Sequence, residues 1–324
     1  MPPTEIVRQA FGRTGLDISR VGCGGWQLSG GELPEELRGA DDELRMATIR
    51  RALERGVNWI DTAPSYGYGH SESVIGRAIR GLAHRPFVFS KCGSVWDDRG
   101  RMRQTLRRDS IRRECEESSR RIGVDAIDLY QIHWPVPDDE LEEGWGTLVE
   151  LKREGKVAHI GGSNFSVEQL RRCAVIAPVE TLQSPYSLVS PQLAEEVLPY
   201  CGQKNIGVIV YGPMGAGLLS GAMTRERIAS FPENDWRNFE PQRNYFSEPA
   251  LTRNLAIAER LRGTGLLPGA LAIAWTLAHP AVTAAIVGLR NPEHVEEALL
   301  AVTESERLQE ALRELDLLPH SRPA

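Results

Sequence analysis

The sequence predicts an α/β fold of the (β/α)8 TIM-barrel class, and three observations predict it. Eight short runs of apolar and β-branched residues alternate with stretches of helical length and amphipathic pattern. Most of these runs are apolar on both faces, as strands of a parallel sheet covered by helices must be. The rival, an open doubly wound sheet, carries an early glycine fingerprint that opens a helix. The nearest candidate here, Gly22-Cys23-Gly24-Gly25-Trp26, leads into Gly30, Gly31 and Pro34 instead.

The elements follow in order. Ile6–Phe11 and Leu16–Val21 flank the turn-rich Gly12-Arg13-Thr14-Gly15 and read as a hairpin. The barrel strands are expected at Ser19–Cys23, Val57–Asp61, Phe87–Lys91, Ile127–His133, Val157–Gly161, Glu180–Gln183, Gly207–Tyr211 and Val282–Val287. Helices are expected at Asp42–Arg55, Ser71–Leu82, Asp109–Ile122, Asp139–Arg153, Val167–Ala177 and Pro191–Lys204. Ser71 stands where a helix opens, and Ser166 with Gln169 has the form of a capping box. Gly56, Gly123 and Gly155 follow apparent helix ends, where a left-handed residue is wanted.

Two stretches need a separate argument. Gly269–Val287 is nearly all apolar and about as long as a membrane span. His279-Pro280 breaks it, because proline inside a helix removes a hydrogen bond and clashes with the preceding turn. A buried helix opening at Pro268 and a buried strand after the break are expected. The interval from Gly212 to Ala281 is too long for one plain unit, and it holds Phe231–Ser247, rich in Pro, Asn, Arg and aromatics. Long irregular loops in compact domains are often functional lids, so a long loop is expected after the seventh strand. No repeat or composition shift divides the chain, so residues 1–324 read as one domain.

Composition excludes some classes. The hydrophobic content of 41% and charged content of 25% are ordinary globular values. A net charge of -6 argues against a general nucleic-acid binder. Of the basic clusters, Arg99–Arg108 and Arg112–Arg121, the second is interleaved with Glu114, Glu116 and Glu117 and reads as a solvated helix face. The five cysteines are scattered, odd in number and lack a C-x-x-C, so neither a disulfide framework nor a zinc site is expected. Residues 1–15 carry no apolar stretch, so no secretory signal is expected there. The expected setting is a reducing cytoplasm, with no membrane partner and no metal.

In such a barrel the active site lies where the strands end. Asp61 ends the second strand and Tyr66 follows in a loop; Lys91 ends the third, His133 the fourth, Ser163 and Asn164 follow the fifth, Gln183 ends the sixth and Tyr211 the seventh. A lysine behind Phe87-Val88-Phe89-Ser90 is a partly buried cation that needs a partner, and Asp61 is the obvious one. An adjacent ammonium is expected to lower the phenol of Tyr66 from its usual value of about 10. Tyr66 then serves as proton donor to a carbonyl oxygen that His133 also holds. Singly, each residue has a structural reading: Asp61-Thr62-Ala63-Pro64 as a turn, His133 as a core group, Lys91 as a surface charge, Asn164 and Gln183 as caps. Their joint position at the ends of different strands favours chemistry. Trp26, Trp96 and Trp134 follow strands near the same mouth and are candidates for a pocket that takes an apolar or flat carbonyl substrate.

The stretches NWIDTAPSYGYGHSESVIGRAI (Asn58–Ile79), FSKCG (Phe89–Gly93), IDLYQIHWP (Ile127–Pro135), IGGSNFS (Ile160–Ser166), LQSPYS (Leu182–Ser187) and IVYGPMGAGLLSG (Ile209–Gly221) resemble the aldo-keto reductase superfamily, in its order. AIVGLRNPEHVEE (Ala285–Glu297) matches more loosely. The likeness is greatest to the bacterial branch of general stress protein 69-like reductases. The resemblance implies a barrel closed at its bottom by the N-terminal hairpin, and a catalytic tetrad of Asp61, Tyr66, Lys91 and His133. It implies that Ser163, Asn164 and Gln183 bond the carboxamide of a nicotinamide cofactor and that Tyr211 stacks on its ring. Gly212, Pro213, Gly215, Gly217 and Leu218 would follow the pyrophosphate, and Gly288, Arg290 and Glu297 would surround the adenosine half. Arg290 beside a 2′-phosphate favours NADPH, with NADH the alternative. His294 stands where the family often has Gln, and Ala298 where it often has Asn, which weakens the expected adenine contacts.

The function implied is reversible reduction of aldehydes or ketones to alcohols. Its first competitor is a nicotinamide-nucleotide-binding regulatory subunit with slow turnover, since ion-channel auxiliary subunits also resemble this superfamily; no long N-terminal extension that would suit it is seen. A metal-dependent barrel hydrolase or isomerase ranks below, because the seven histidines form no H-x-H or H-x-x-x-H pair.

Overall fold

The chain enters through an antiparallel hairpin, β1 (Arg8–Ala10) and β2 (Asp17–Ser19), with Gln9 opposite Ile18. A computed structural model describes residues 6–29, 41–97, 99–240 and 242–318. The expected glycine-rich continuation at Gly30, Gly31 and Pro34 lies outside them.

Strands β3 (Val21–Gly24), β4 (Trp59–Asp61) and β5 (Phe87–Cys92) begin a parallel sheet. A second antiparallel hairpin, β6 (Ser94–Trp96) with β7 (Met102–Gln104), stands beyond the end of β5. The sheet continues through β8 (Ile127–Ile132), β9 (Val157–Ser163), β10 (Thr181–Pro185), β11 (Gly207–Tyr211) and β12 (Ala284–Gly288), and β12 pairs with β3 to close the barrel. All eight barrel strands fall on the expected segments, displaced by no more than a few residues.

The helices around it are α1 (Asp42–Glu54), α2 (His70–Ile79), α3 (Arg108–Ile122), α4 (Leu141–Arg153), α5 (Val167–Ile176) and α6 (Val197–Gln203), followed by α7 (Arg225–Ala229), α8 (Arg243–Phe246), α9 (Ala250–Gly263), α10 (Pro268–Leu277), α11 (Pro292–Thr303) and α12 (Ser305–Glu314). The Gly269–Val287 stretch resolves into buried α10, with Pro268 in its first turn, and then β12 after the break. Among the described residues no helix is long and apolar enough to cross a membrane. The capping box at Ser166 forms: its hydroxyl accepts from Gln169 N at 3.2 Å, and Gln169 Oε1 accepts from Ser166 N at 3.0 Å. Gly56, Gly123 and Gly155 take positive φ just past their helices, as expected.

Some expectations need correction. Ser71 is not a cap, because α2 opens at Gly69–His70 and the Ser71 hydroxyl faces inward, donating to Gly25 O at 3.0 Å and meeting Thr62 Oγ1 at 2.9 Å. The helix expected over Pro191–Lys204 is split into a 3-10 turn, Gln192–Ala194, and α6. Within the long segment after β11, the described residues of the expected loop Phe231–Ser247 carry only the short turn Trp236–Asn238 and α8, while the fourteen-residue α9 that follows was not expected.

The lower interior of the barrel is an apolar plug. Phe11 from the hairpin stacks on Phe89 with ring centroids 5.9 Å apart, and Phe89 stacks on Trp59 at 5.2 Å. Ile18, Leu129, Ile209, Ala284 and Ile286 complete this cluster. Trp59 Nε1 donates to Ser19 O at 2.8 Å, so the buried indole is satisfied. Gly22 makes room for that ring, because a Cβ there would stand 2.2 Å from it. The hairpin meets the first residues of the strands, with Asn58 Nδ2 donating to Asp17 O at 2.9 Å and Ser19 N donating back to Asn58 Oδ1 at 2.9 Å. It therefore closes the bottom, and the strands carry their polar residues toward the opposite mouth.

Candidate active site

Side chains on a strand alternate between faces, so two residues beyond an interior residue the next interior residue appears. Trp59 is followed by Asp61, Phe89 by Lys91, and Ile209 by Tyr211. The apolar plug thus gives way, one step up the same strands, to charge.

Lys91 is fully buried and its Nζ donates to Asp61 Oδ2 at 2.6 Å and to Thr62 O at 2.9 Å. The Tyr66 hydroxyl stands 3.5 Å from the same Nζ. The second oxygen of Asp61 accepts from Gln183 Nε2 at 2.7 Å. A buried ion pair is stable only when its remaining hydrogen bonds are made, and here both carboxylate oxygens are engaged. Burial pushes Asp61 up and Lys91 down, each toward neutrality; their mutual attraction opposes this in both.

Tyr66 departs from expectation. Burial pushes its phenol well above the ordinary value, and the charge of Asp61 adds to this. The expected lowering by Lys91 does not prevail, because the ammonium is already neutralised by Asp61. The phenol therefore stays protonated across neutral pH, and the nearby ammonium is placed to stabilise phenolate as it forms. His133, after β8, packs edge-on to Tyr66 at 5.8 Å. Burial first, then the charge of Lys91, hold its imidazole well below the usual range, so it is neutral at pH 7.

The loop that carries Tyr66 is tied at both ends. Tyr66 N donates to Ala63 O at 3.1 Å, Ser71 N donates to Tyr66 O at 3.2 Å, and Gly69 N closes on Pro64 O at 2.7 Å. Tyr66 is thereby fixed against the start of α2.

Of the expected cofactor residues, Ser163, Asn164, Gln183 and Tyr211 adjoin this cluster. Ser163 ends β9 opposite Gln183 of β10. Asn164, at φ +65°, donates through Nδ2 to His133 O at 3.0 Å and to Ser163 Oγ at 3.0 Å, and its Oδ1 accepts from the Tyr211 hydroxyl at 2.8 Å. Beyond Tyr211, Gly212 and Pro213 lead into a tight 3-10 stretch, Gly215–Ser220, in which Gly217 has φ +93°; Leu218 is buried there. After β12, Gly288 lies against Gln27, where a Cβ would stand 2.6 Å from Gln27 Cγ. Arg290 is exposed, and its Nε donates to Gln27 Oε1 at 3.1 Å. Asn291 caps α11 by accepting from His294 N at 2.9 Å. Glu297 is exposed on α11, apart from the tetrad. This donor set fits a dinucleotide: amides for a carboxamide, an aromatic face for a flat ring, a glycine-rich backbone turn for a pyrophosphate, and a guanidinium near a helix N-terminus for a phosphate.

Of the three tryptophans, two reach the tetrad. Trp26 packs edge-on to Tyr66 at 5.3 Å, and Trp134 stacks on His133 at 6.0 Å. Trp96, on β6, packs against Tyr68 at 5.5 Å. Sequence reasoning missed Trp236, whose ring lies 6.4 Å from Trp26. Its segment is pinned by the Asp235–Arg237 ion pair at 2.6 Å and by Arg237 over the Phe231 ring at 3.7 Å. The aromatic content of Phe231–Ser247 was the available signal.

The Aldo/keto reductase family model matches residues 20–316. The Aldo-keto reductase YhdN of Bacillus subtilis (strain 168) is 37% identical over 299 residues, covering 90% of this chain and 86% of that protein. The NADH-specific methylglyoxal reductase of Escherichia coli (strain K12) is 32% identical over 305 residues, covering 90% and 92%. The solved glycerol dehydrogenase AKR11B4 of Gluconobacter oxydans superposes with a TM-score of 0.81 at 32% identity, over 98% of each chain. All three names are those of oxidoreductases. With the barrel, the hairpin and this match over most of its length, the chain belongs to the aldo-keto reductase family.

Proposed function

We propose that this protein reduces aldehydes or ketones to alcohols, reversibly, with NADPH as the preferred cofactor and NADH as the alternative. The observation that carries this reading is the Tyr66 hydroxyl beside the buried Lys91–Asp61 pair, with neutral His133 facing it. NADPH, when bound, supplies a hydride to the carbonyl carbon. Tyr66 donates its proton to the carbonyl oxygen, and Lys91 stabilises the phenolate left behind. His133, neutral, donates from one ring nitrogen to the same oxygen and orients it. Asp61 holds Lys91 in place and keeps it charged.

Ser163, Asn164 and Gln183 would hold the nicotinamide carboxamide, with Tyr211 against the ring. Gly212, Pro213, Gly215, Gly217 and Leu218 would follow the pyrophosphate. Gly288, Arg290 and Glu297 would surround the adenosine half, and the exposed Arg290 guanidinium supports a 2′-phosphate. Trp26 and Trp134, with Trp96 behind and Trp236 across, support a flat or apolar carbonyl substrate.

The test is oxidation of NADPH and of NADH with a panel of aldehydes and ketones, beside Tyr66→Phe. Turnover should fall by about 10²- to 10⁴-fold in the variant while cofactor affinity holds. A wild type that binds cofactor but turns over none of the panel would sink the reading.

A further inference from the structure

Behind β5, on the side away from the barrel interior, sits a second carboxylate that the mechanism above does not use. Glu72, in the first turn of α2, is completely buried. Its Oε1 accepts from Ser90 Oγ at 2.6 Å, and its Oε2 accepts from Arg121 Nε of α3 at 2.6 Å. Ser90 is the residue before Lys91, and the strand alternation that turns Lys91 inward turns Ser90 outward to Glu72. The same helix follows the loop that carries Tyr66. One carboxylate therefore links the element that places the phenol to the strand that places the ammonium.

We propose that Glu72 is a positioning residue for the tetrad, seating Lys91 against Tyr66 through Ser90 and supplying a second buried negative charge behind the ammonium. This rests on the tetrad reading of the preceding subsection. A carboxylate buried only to staple helices needs no charge near the lysine, and an amide of the same shape would serve. Burial works against the charged lysine; Asp61 opposes that most strongly and Glu72 adds to it. Around Lys91 stand Asp61 on β4, Tyr66 in its loop and His133 after β8. Around Glu72 stand Arg121 on α3, with Glu117 3.7 Å from that guanidinium, and the Tyr130 phenol on β8.

The sign of the effect follows. Removing the anion makes the potential at the tetrad more positive, so any group there whose deprotonation stops reduction loses its proton at lower pH. Removing the cation Arg121 does the reverse. The experiment is the pH profile of kcat/KM from about pH 6 to 10 for the full chain, with NADPH and 4-nitrobenzaldehyde. The variants are Glu72→Gln, Ser90→Ala and Arg121→Met. The alkaline limb of Glu72→Gln should move down by about half a unit to one unit, and that of Arg121→Met should move up. Ser90→Ala keeps the charge but cuts the tie, and should lower kcat several-fold with the limb in place. Profiles of Glu72→Gln and Arg121→Met that both superimpose on the wild type would overturn the proposal while leaving the tetrad intact. Should Glu72→Gln not fold, the upward shift in Arg121→Met decides alone, and its absence counts against the proposal. A wild type without turnover, or one indifferent to Tyr66→Phe, would overturn the tetrad reading itself and this proposal with it.

Discussion

The two halves of the barrel interior are built from the same strands and do opposite things. Below, Trp59, Phe89, Leu129 and Ile209 pack against Phe11 and Ile18 from the hairpin with no charge among them. Above, two residues on, Asp61 and Lys91 are also buried, and they meet as an ion pair at 2.6 Å. The lower half gains from leaving water, about 1.5 to 3 kcal/mol for each large side chain. The upper half loses by the same transfer, and its ion pair only offsets the loss. On the proposed chemistry this division predicts stability concentrated at the bottom and reactivity at the top, a two-residue step along a strand apart.

The largest test of that division removes the charge altogether. The double variant Asp61→Asn with Lys91→Met should lose about 10²- to 10⁴-fold in carbonyl reduction. Its thermal midpoint should hold or rise, since well-packed neutral groups often replace a buried ion pair without cost. A midpoint that collapses along with activity would show that the upper half also carries the fold.

The converse substitution is Phe89→Ala, in the middle of the plug. It should destabilise by about 3 to 5 kcal/mol in denaturant unfolding, because the ring leaves a cavity between Phe11 and Trp59. The fraction still folded should retain its kcat, as the tetrad above is untouched. Loss of kcat in that fraction would mean the two halves are mechanically coupled.

A smaller effect is expected from a charge buried outside the barrel. Glu114 on α3 accepts from Gly93 N at 2.9 Å and Ser110 Oγ at 3.0 Å, and burial raises its carboxyl to about 7. A raised carboxyl favours the native state while protonated. That contribution is complete below the unfolded pKa of about 4.5 and is lost as pH rises through about 7. Glu114→Gln should therefore raise the midpoint more at pH 8 than at pH 5.5 in paired thermal melts. An equal change at both values would show that Glu114 ionises freely in the folded protein.

Much of this was legible in the sequence, for identifiable reasons. The eight barrel strands are buried on both faces, so their apolar runs stand out, and the glycines after α1, α3 and α4 punctuate the repeats. Asp61, Lys91 and His133 stood out because each follows a nearly apolar strand. Helices α9, α11 and α12 did not. In α9 the buried positions are only Leu251, Asn254, Ala258 and Leu261, a sparse stripe beside a segment that reads as loop. In α11, Val295, Ala298, Leu299 and Val302 have helical spacing, but the stretch drew notice only as a motif. The hairpin β6–β7 is short and partly exposed, and carries no alternation to read.

The sequence by itself determined the period of the fold, the order of its barrel strands and the residue types at the strand ends, because burial on two faces and glycine at helix ends are local demands. Tertiary structure alone decided the rest. It set the state of Tyr66, whose phenol is raised because burial and Asp61 outweigh an ammonium already paired. It brought Trp236 to Trp26 from more than two hundred residues along the chain. It made Ser71 a tie between loops instead of a cap, and set Glu72 against Ser90 with Arg121 behind it. Each of these depends on which groups are close in space and how little water is between them, and the strength of a charge or a contact follows from that distance and that exclusion, not from sequence spacing.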